Sequence, residues 1–240
     1  MALSLGKSGV YSVVTLISML TAAGGIRAAT ASPNISQAEE PYFDLTYQLL
    51  LNGFALVPVI LCLYLLSLDG TEHPVAQRIG LNRGRLGRDF LWSCALAAGI
   101  GIPGLGLYAL VRYAGLSAEI IPSQIDQYWW TLPILIISAA RNAIVEEVIV
   151  VAFLMTRLAQ LRWSTPAIII TSALIRGSYH LYQGFGMAIG NVIMGVIYGY
   201  WFHRTRRVMP LVMAHTLIDV VEFVGYQMFA DELGLRWATA

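Results

Sequence analysis

The feature that most constrains this chain is its series of long apolar runs. Seven stretches, 10–29, 47–68, 90–111, 130–156, 166–181, 187–202 and 208–230, consist mostly of Ala, Val, Ile, Leu, Met, Phe and Gly. A helix crossing the hydrocarbon core of a bilayer needs about 20 such residues. Only helices and closed barrels satisfy their own backbone there, and no alternating strand pattern or internal repeat is evident. The expected fold class is therefore all-α, a polytopic transmembrane helix bundle of about seven spans. Composition agrees: only 12% of the 240 residues are charged, against about a quarter in a soluble domain. A net charge of +1 points to no polyanionic partner, so no nucleic acid is expected. Cys62 and Cys94 both fall in apolar runs and read as small hydrophobes, with no disulfide or metal role.

Basic residues orient the bundle, because cytosolic loops carry an excess of Lys and Arg. With seven spans, the N-terminus and the connections after spans two, four and six share one side. That side holds Lys7, Arg78, Arg83, Arg85, Arg88, Arg157, Arg162, Arg204, Arg206 and Arg207, and the other holds Arg27, Arg112 and Arg236. The N-terminus is expected in the cytosol, in an integral multi-pass protein of the plasma membrane. Lys7, the apolar run and "ATAS" also resemble a secretory signal peptide. The run is long for that role, and Gly24 and Gly25 interrupt it, so a first span is the expectation. Segment 1–128 reads as N-terminal transmembrane helices with a basic cytosolic loop, 129–230 as a second helix bundle, and 231–240 as a short tail.

Within the apolar runs stand groups that a bilayer penalises. They are Arg141, Glu146 and Glu147 in the fourth run, Arg176 and His180 in the fifth, and His215, Asp219 and Glu222 in the seventh. Each costs roughly 2.5–3.5 kcal/mol at mid-bilayer on insertion scales, so they must cluster away from lipid. His215 and Asp219 are four residues apart and share a helix face, as do Arg176 and His180. Glu146 and Glu147 point about 100° apart, so one faces a common centre and the other pairs sideways. Counting about 1.5 Å per residue from the cytosolic ends puts Glu146 and Asp219 near 16 Å, His215 near 10 Å and His180 near 20 Å. Three helices thus supply carboxylates and imidazoles to one buried pocket. Such a set suits general-base hydrolysis. Equally, His180, His215 and one of Asp219, Glu146 or Glu147 have the ligand count of a divalent metal such as zinc.

These residues resemble the CPBP family, the CAAX proteases and bacteriocin-processing (Abi) membrane proteins, which includes the type II CAAX prenyl endopeptidase. Its pattern is E-E-x-x-x-R, then F-x-x-x-H, then H-x-x-x-N or H-x-x-x-D, each on its own helix. "EEVIVV" at 146–151, "RGSYH" at 176–180 and "HTLID" at 215–219 match in order, and the resemblance runs from about Trp130 to Glu222. It implies an intramembrane endopeptidase acting on a membrane-associated or lipidated peptide. Glu146 would activate water and Glu147 assist. His180 would hold the water or a metal, and His215 and Asp219 would bind that metal or stabilise the oxyanion. The tentative metal set is His180, His215 and Asp219. Two positions depart from the pattern: Val151 stands where the family has Arg, and Arg176 where it has Phe. Arg176 is expected to replace the missing cation in space, pairing with Glu147 or Asp219, since a buried charge needs a partner.

Arg141, near one turn before Glu146, is a candidate counter-ion, and Asn191 on the sixth run a candidate supporting residue. Tyr128, Trp129, Trp130 and Trp201 read as interfacial aromatics. Two readings compete with a protease: a catalytically inactive relative that binds membrane ligands, and a proton-coupled transporter, which also buries carboxylates and histidines. A bis-histidine haem site on His180 and His215 is disfavoured by the surrounding charges.

Overall fold

The computed structural model describes residues 2–121 and 128–225, and its architecture is helical almost throughout. Helix α1 spans Lys7–Thr21 and short α2 spans Gly25–Ala28. Helices α3 (Pro41–Phe54) and α4 (Val57–Ser67) follow, then short α5 (Val75–Arg78) and the long α6 (Leu86–Tyr113). Next come α7 (Thr131–Glu146), a π-helical segment Glu147–Phe153 and α8 (Leu154–Gln160). Helices α9 (Thr165–Ser178), α10 (Phe185–Thr205) and α11 (Met209–Val220) complete the order, with a 3₁₀ turn Leu181–Gln183 after α9 and a π turn Val221–Gly225 after α11. Residues 226–230 of the seventh expected span, and the tail 231–240 with Arg236, lie outside the described residues.

The helices coincide with the apolar runs, with instructive differences. The first run breaks at Gly24, whose φ of 89° is left-handed, a conformation glycine adopts without steric cost. The fifth run, short and interrupted within "GSYHLYQGFG", is helical over Thr165–Ser178 and is followed by the 3₁₀ turn Leu181–Gln183. Three helices among the described residues are long and apolar enough to cross a membrane: Pro41–Ser67, Leu86–Tyr113 and Phe185–Thr205. The rod Thr131–Gln160 has the length, but Arg141, Glu146, Glu147 and Arg157 interrupt its hydropathy. α6 leaves Phe90, Leu91, Ile102, Leu105 and Leu110 exposed, an apolar surface that suits lipid and not water.

The connections between helices gather into two groups. In one, Asp69 after α4 accepts from Arg78 at 2.8 Å and from Arg157 of α8 at 2.6 Å. Arg207, between α10 and α11, pairs with Asp89 of α6, and the Val208 amide donates to the Ile79 carbonyl at 2.9 Å. In the other, Thr30–Ala31 (β1) pairs in parallel with Glu119–Ile120 (β2). There Arg112 donates to the Arg27 carbonyl at 2.7 Å, and Ser117 Oγ to the Gln183 carbonyl at 3.0 Å. The sequence showed no strand pattern here, because two residues are too short to alternate visibly.

The core lies among α7–α8, α9, α10 and α11. Val148, Ile149, Val150, Val151, Tyr198 and Leu211 are fully buried. α10 lies closely against α9, and α11 lies between α6 and α7. The start of the chain joins this core: Leu5 packs with Val59, Cys62, Val145, Val148, Ile149 and Tyr179.

Candidate active site

The paired glutamates sit where α7 passes into its π segment. A π turn widens the helix by one residue and redirects the side chains that follow. Glu146 looks into a cavity, while Glu147 is wholly buried. The carbonyl of Val150 inside the π segment accepts from Ser172 Oγ of α9 at 3.0 Å. Neighbouring hydroxyls commonly satisfy backbone groups of irregular membrane helices in this way.

Arg176 of α9, also wholly buried, is the hub. Its Nη2 lies 2.5 Å from Glu147 Oε1 and its Nη1 3.4 Å from Glu146 Oε2. Its guanidinium lies over the Tyr198 ring, 5.4 Å from the centroid. The partner is thus Glu147, of the two acids anticipated, and Glu146 is reached as well. Val151 shares a packed cluster with Met194 and Tyr198. Both of these touch Arg176, so Val151 belongs to the cluster against which the guanidinium lies.

His215 of α11 closes the other side of Glu147. Its Nδ1 is 2.7 Å from Glu147 Oε1, and its Nε2 is 3.4 Å from Asp219 Oδ1. Carboxylate oxygens accept, so only a ring protonated on both nitrogens donates to both. His180 has the complementary arrangement. Its Nδ1 lies 3.0 Å from the Arg176 carbonyl, which can only accept. Nδ1 therefore carries the hydrogen, and in the neutral ring Nε2 is left with the lone pair.

Glu146, His180, His215, Asp219, Arg141 and Glu222 all line one cavity of about 400 Å³. Further lining residues went unnoticed in the sequence. Tyr179 donates its hydroxyl to Glu146 Oε2 at 2.9 Å, and Asn142 reaches Asp219 Oδ2 at 3.5 Å. Asn142 lies four residues before Glu146, a same-face spacing that was a usable signal; Tyr179 adjoins His180 in "SYH". Leu5, Ser8, Ser32 and Pro33 also line the cavity. They carry no motif, and tertiary placement alone brings them there.

Two supporting expectations change. Asn191 donates to the Met187 carbonyl of its own helix at 3.1 Å and is not among the lining residues. Arg141 is not the close counter-ion of Glu146. Its Nε donates to Asn52 Oδ1 at 3.1 Å, while Arg176 takes the place beside the acid. Potential metal donors that converge within 4.8 Å, among the described residues, are Glu146, Glu147 and His215. The set anticipated, His180, His215 and Asp219, shares only His215 with it.

Residues 128–221 match the family model described as type II CAAX prenyl endopeptidase Rce1-like. The match opens just before α7 and closes just beyond α11, so it contains every helix that carries a motif. No curated protein and no solved structure matches the chain.

Proposed function

We propose that this chain, whose residues 128–221 match the Rce1-like family model, is an intramembrane endopeptidase of the CPBP family acting on membrane-associated or lipidated peptides. The observation that carries this reading is the division of labour between the two glutamates. Glu147 is enclosed by Arg176 and His215, which leaves it no room to meet a substrate. Glu146 stands at the cavity with one oxygen, Oε2, held by Tyr179 and Arg176. Its other oxygen is the general base that takes a proton from water. His180 Nε2, a lone-pair acceptor at the same cavity, orients that water's second hydrogen. The hydroxide adds to the peptide carbonyl, and His215 Nε2–H, only loosely engaged by Asp219, donates to the oxyanion. Glu146 then returns the proton to the departing amine.

Two carboxylates and an imidazole are a donor set that divalent metals accept. Here a guanidinium already lies against both carboxylates, and His215 Nδ1 is spent on Glu147. A dication would have to displace or repel that charge, so the residues as arranged do not fit a resident metal. Arg176 supplies the positive charge instead. In membrane orientation, the group of connections holding Asp69, Arg78, Arg157 and Arg207 faces the cytosol, with the N-terminus on that side of a seven-span bundle. Protease accessibility of inverted vesicles reads this directly.

The decisive experiment is hydrolysis of a lipidated peptide library by purified protein, before and after exhaustive chelation, beside Glu146→Gln. Cleavage is expected to survive chelation and to fall by about 10²-fold or more in Glu146→Gln. Equal cleavage by both proteins removes the assignment of Glu146. Loss on chelation with recovery on added zinc returns the metal reading.

A further inference from the structure

Arg141 is the cation at the cavity that the hydrolytic scheme leaves without work. It lies on α7, five residues before Glu146, and lines the same cavity. Among the described residues its side chain makes one hydrogen bond, from Nε to Asn52 Oδ1. No described carboxylate comes within 4.0 Å of its guanidinium, although Glu146, Asp219 and Glu222 line the cavity with it. The Nη1 and Nη2 donors are therefore uncommitted.

The arm is nevertheless fixed in direction. Asn52 of α3 is buried, and its Nδ2 donates to the Gln48 carbonyl at 2.7 Å. That bond settles which end of the amide is oxygen, and the oxygen anchors Nε. Holding Nε leaves the outer edge of the guanidinium, with its two terminal nitrogens, as a planar fork. Such a fork matches the two oxygens of a carboxylate. An intramembrane cation is costly enough that an unspent, pre-aimed one marks a ligand site.

We infer that Arg141, aimed by Asn52, receives a carboxylate of the peptide substrate on the side of the cleaved bond nearer the start of α7. This rests on the endopeptidase reading and adds a specificity element to it. Five helical residues rise about 7.5 Å, and an extended peptide advances about 3.3 Å per residue. The carboxylate thus belongs about two to three residues from the scissile bond. A free chain terminus and an acidic side chain both supply that group.

The test measures binding, so that it does not depend on turnover. Full-length protein in nanodiscs is titrated with a fluorescent acylated peptide in three forms: free acid, C-terminal amide, and amide with Glu at the last position. Wild type is expected to favour at least one carboxylate form over the neutral amide by about tenfold. Arg141→Gln should abolish that preference and leave the neutral amide unchanged. Arg141→Lys should keep part of it, since lysine retains the charge without the fork, and Asn52→Leu should give an intermediate loss. Preference for the acid alone identifies a free terminus, and preference shared by the Glu amide identifies any carboxylate at that reach. Equal weakening of all three forms in Arg141→Gln, or no change in any, overturns the inference. A wild type that shows the Arg141-dependent preference yet cleaves nothing would instead fault the endopeptidase reading alone.

Discussion

At the scale of single residues, the exchange of Val151 and Arg176 against the family pattern is the most informative feature. A buried carboxylate as enclosed as Glu147 persists only with a cation beside it. The family pattern places that cation one helical turn along from the glutamates, whereas this chain brings it from α9. Val151 belongs to the packed cluster that holds Met194 and Tyr198, the side chains that Arg176 touches, so one place for the charge, reached from either backbone, is the arrangement to test. Removing it by Arg176→Phe should cost about 3–5 kcal/mol, the usual penalty for orphaning a buried charge. Adding Val151→Arg to that variant should recover much of the loss, because it restores the family arrangement. Thermal melts in detergent of wild type, Arg176→Phe, Val151→Arg and the double variant form the cycle. A double variant no more stable than Arg176→Phe would show that the two positions are not equivalent in space. The exchange was legible in sequence because a missing Arg and an extra one stood out in the same pattern. The neighbours that complete the site were not. Tyr179 carries no motif of its own and Asn142 only its spacing from Glu146, and it is the placement of Tyr179 beside Glu146 and of α11 against α7 that gives them partners.

At the scale of elements, the site depends on how closely α9 approaches α10. Gly195 and Gly199 of α10 are four residues apart and therefore stand on one face. A β-carbon added at Gly195 would lie 2.8 Å from Ala173 Cα, and one at Gly199 would lie 3.2 Å from Ile169 Cγ2. Small residues at this spacing let membrane helices meet backbone to backbone. Gly195→Leu should push α9 outward and carry Arg176 away from Glu147. Overpacking of this kind costs about 1–3 kcal/mol, and activity should fall further than stability, since the ion pairs need their geometry. Gly199→Ala meets a side chain and not backbone, so it should be the milder change. The measurement is hydrolysis beside a detergent melt for both variants, and an unaltered Gly195→Leu would contradict the packing argument. Helix positions were largely readable because bilayer length sets the run length. The π segment was not: Val148 to Phe153 is apolar on every face, so no periodicity distinguishes an α from a π turn. Asn191 misled for a related reason. Polar residues inside apolar helices invite a site role, yet this one satisfies a carbonyl of its own helix.

At the scale of the whole molecule, the motif-bearing half does not make the cavity alone. Leu5, Ser8, Ser32 and Pro33 line it, and Ser12 Oγ of α1 donates to the Tyr179 carbonyl at 2.9 Å. At the end of the bundle where the basic connections gather, Asp69 ties the two halves together. It accepts from Arg78, from Arg157 and from Gln160, joining the loop after α4 to the end of α8. Those partners hold its carboxyl down from the ordinary 3.8 to about 2. The folded protein therefore binds the Asp69 proton less readily than the unfolded chain does. The stabilisation is complete above about pH 4, declines as pH falls towards 2, and is gone below it. Asp69→Asn should accordingly lower the melting temperature at pH 7 by a modest amount, since the group lies near solvent and its ion pairs are screened. The same substitution should matter progressively less in melts taken from pH 4 downwards. Added salt at pH 7 should narrow the difference too. A wild type and variant separated by the same interval at pH 7 and near pH 2 would place the role of Asp69 outside its charge, and the two halves would then be held by packing among α4, the π segment and α8.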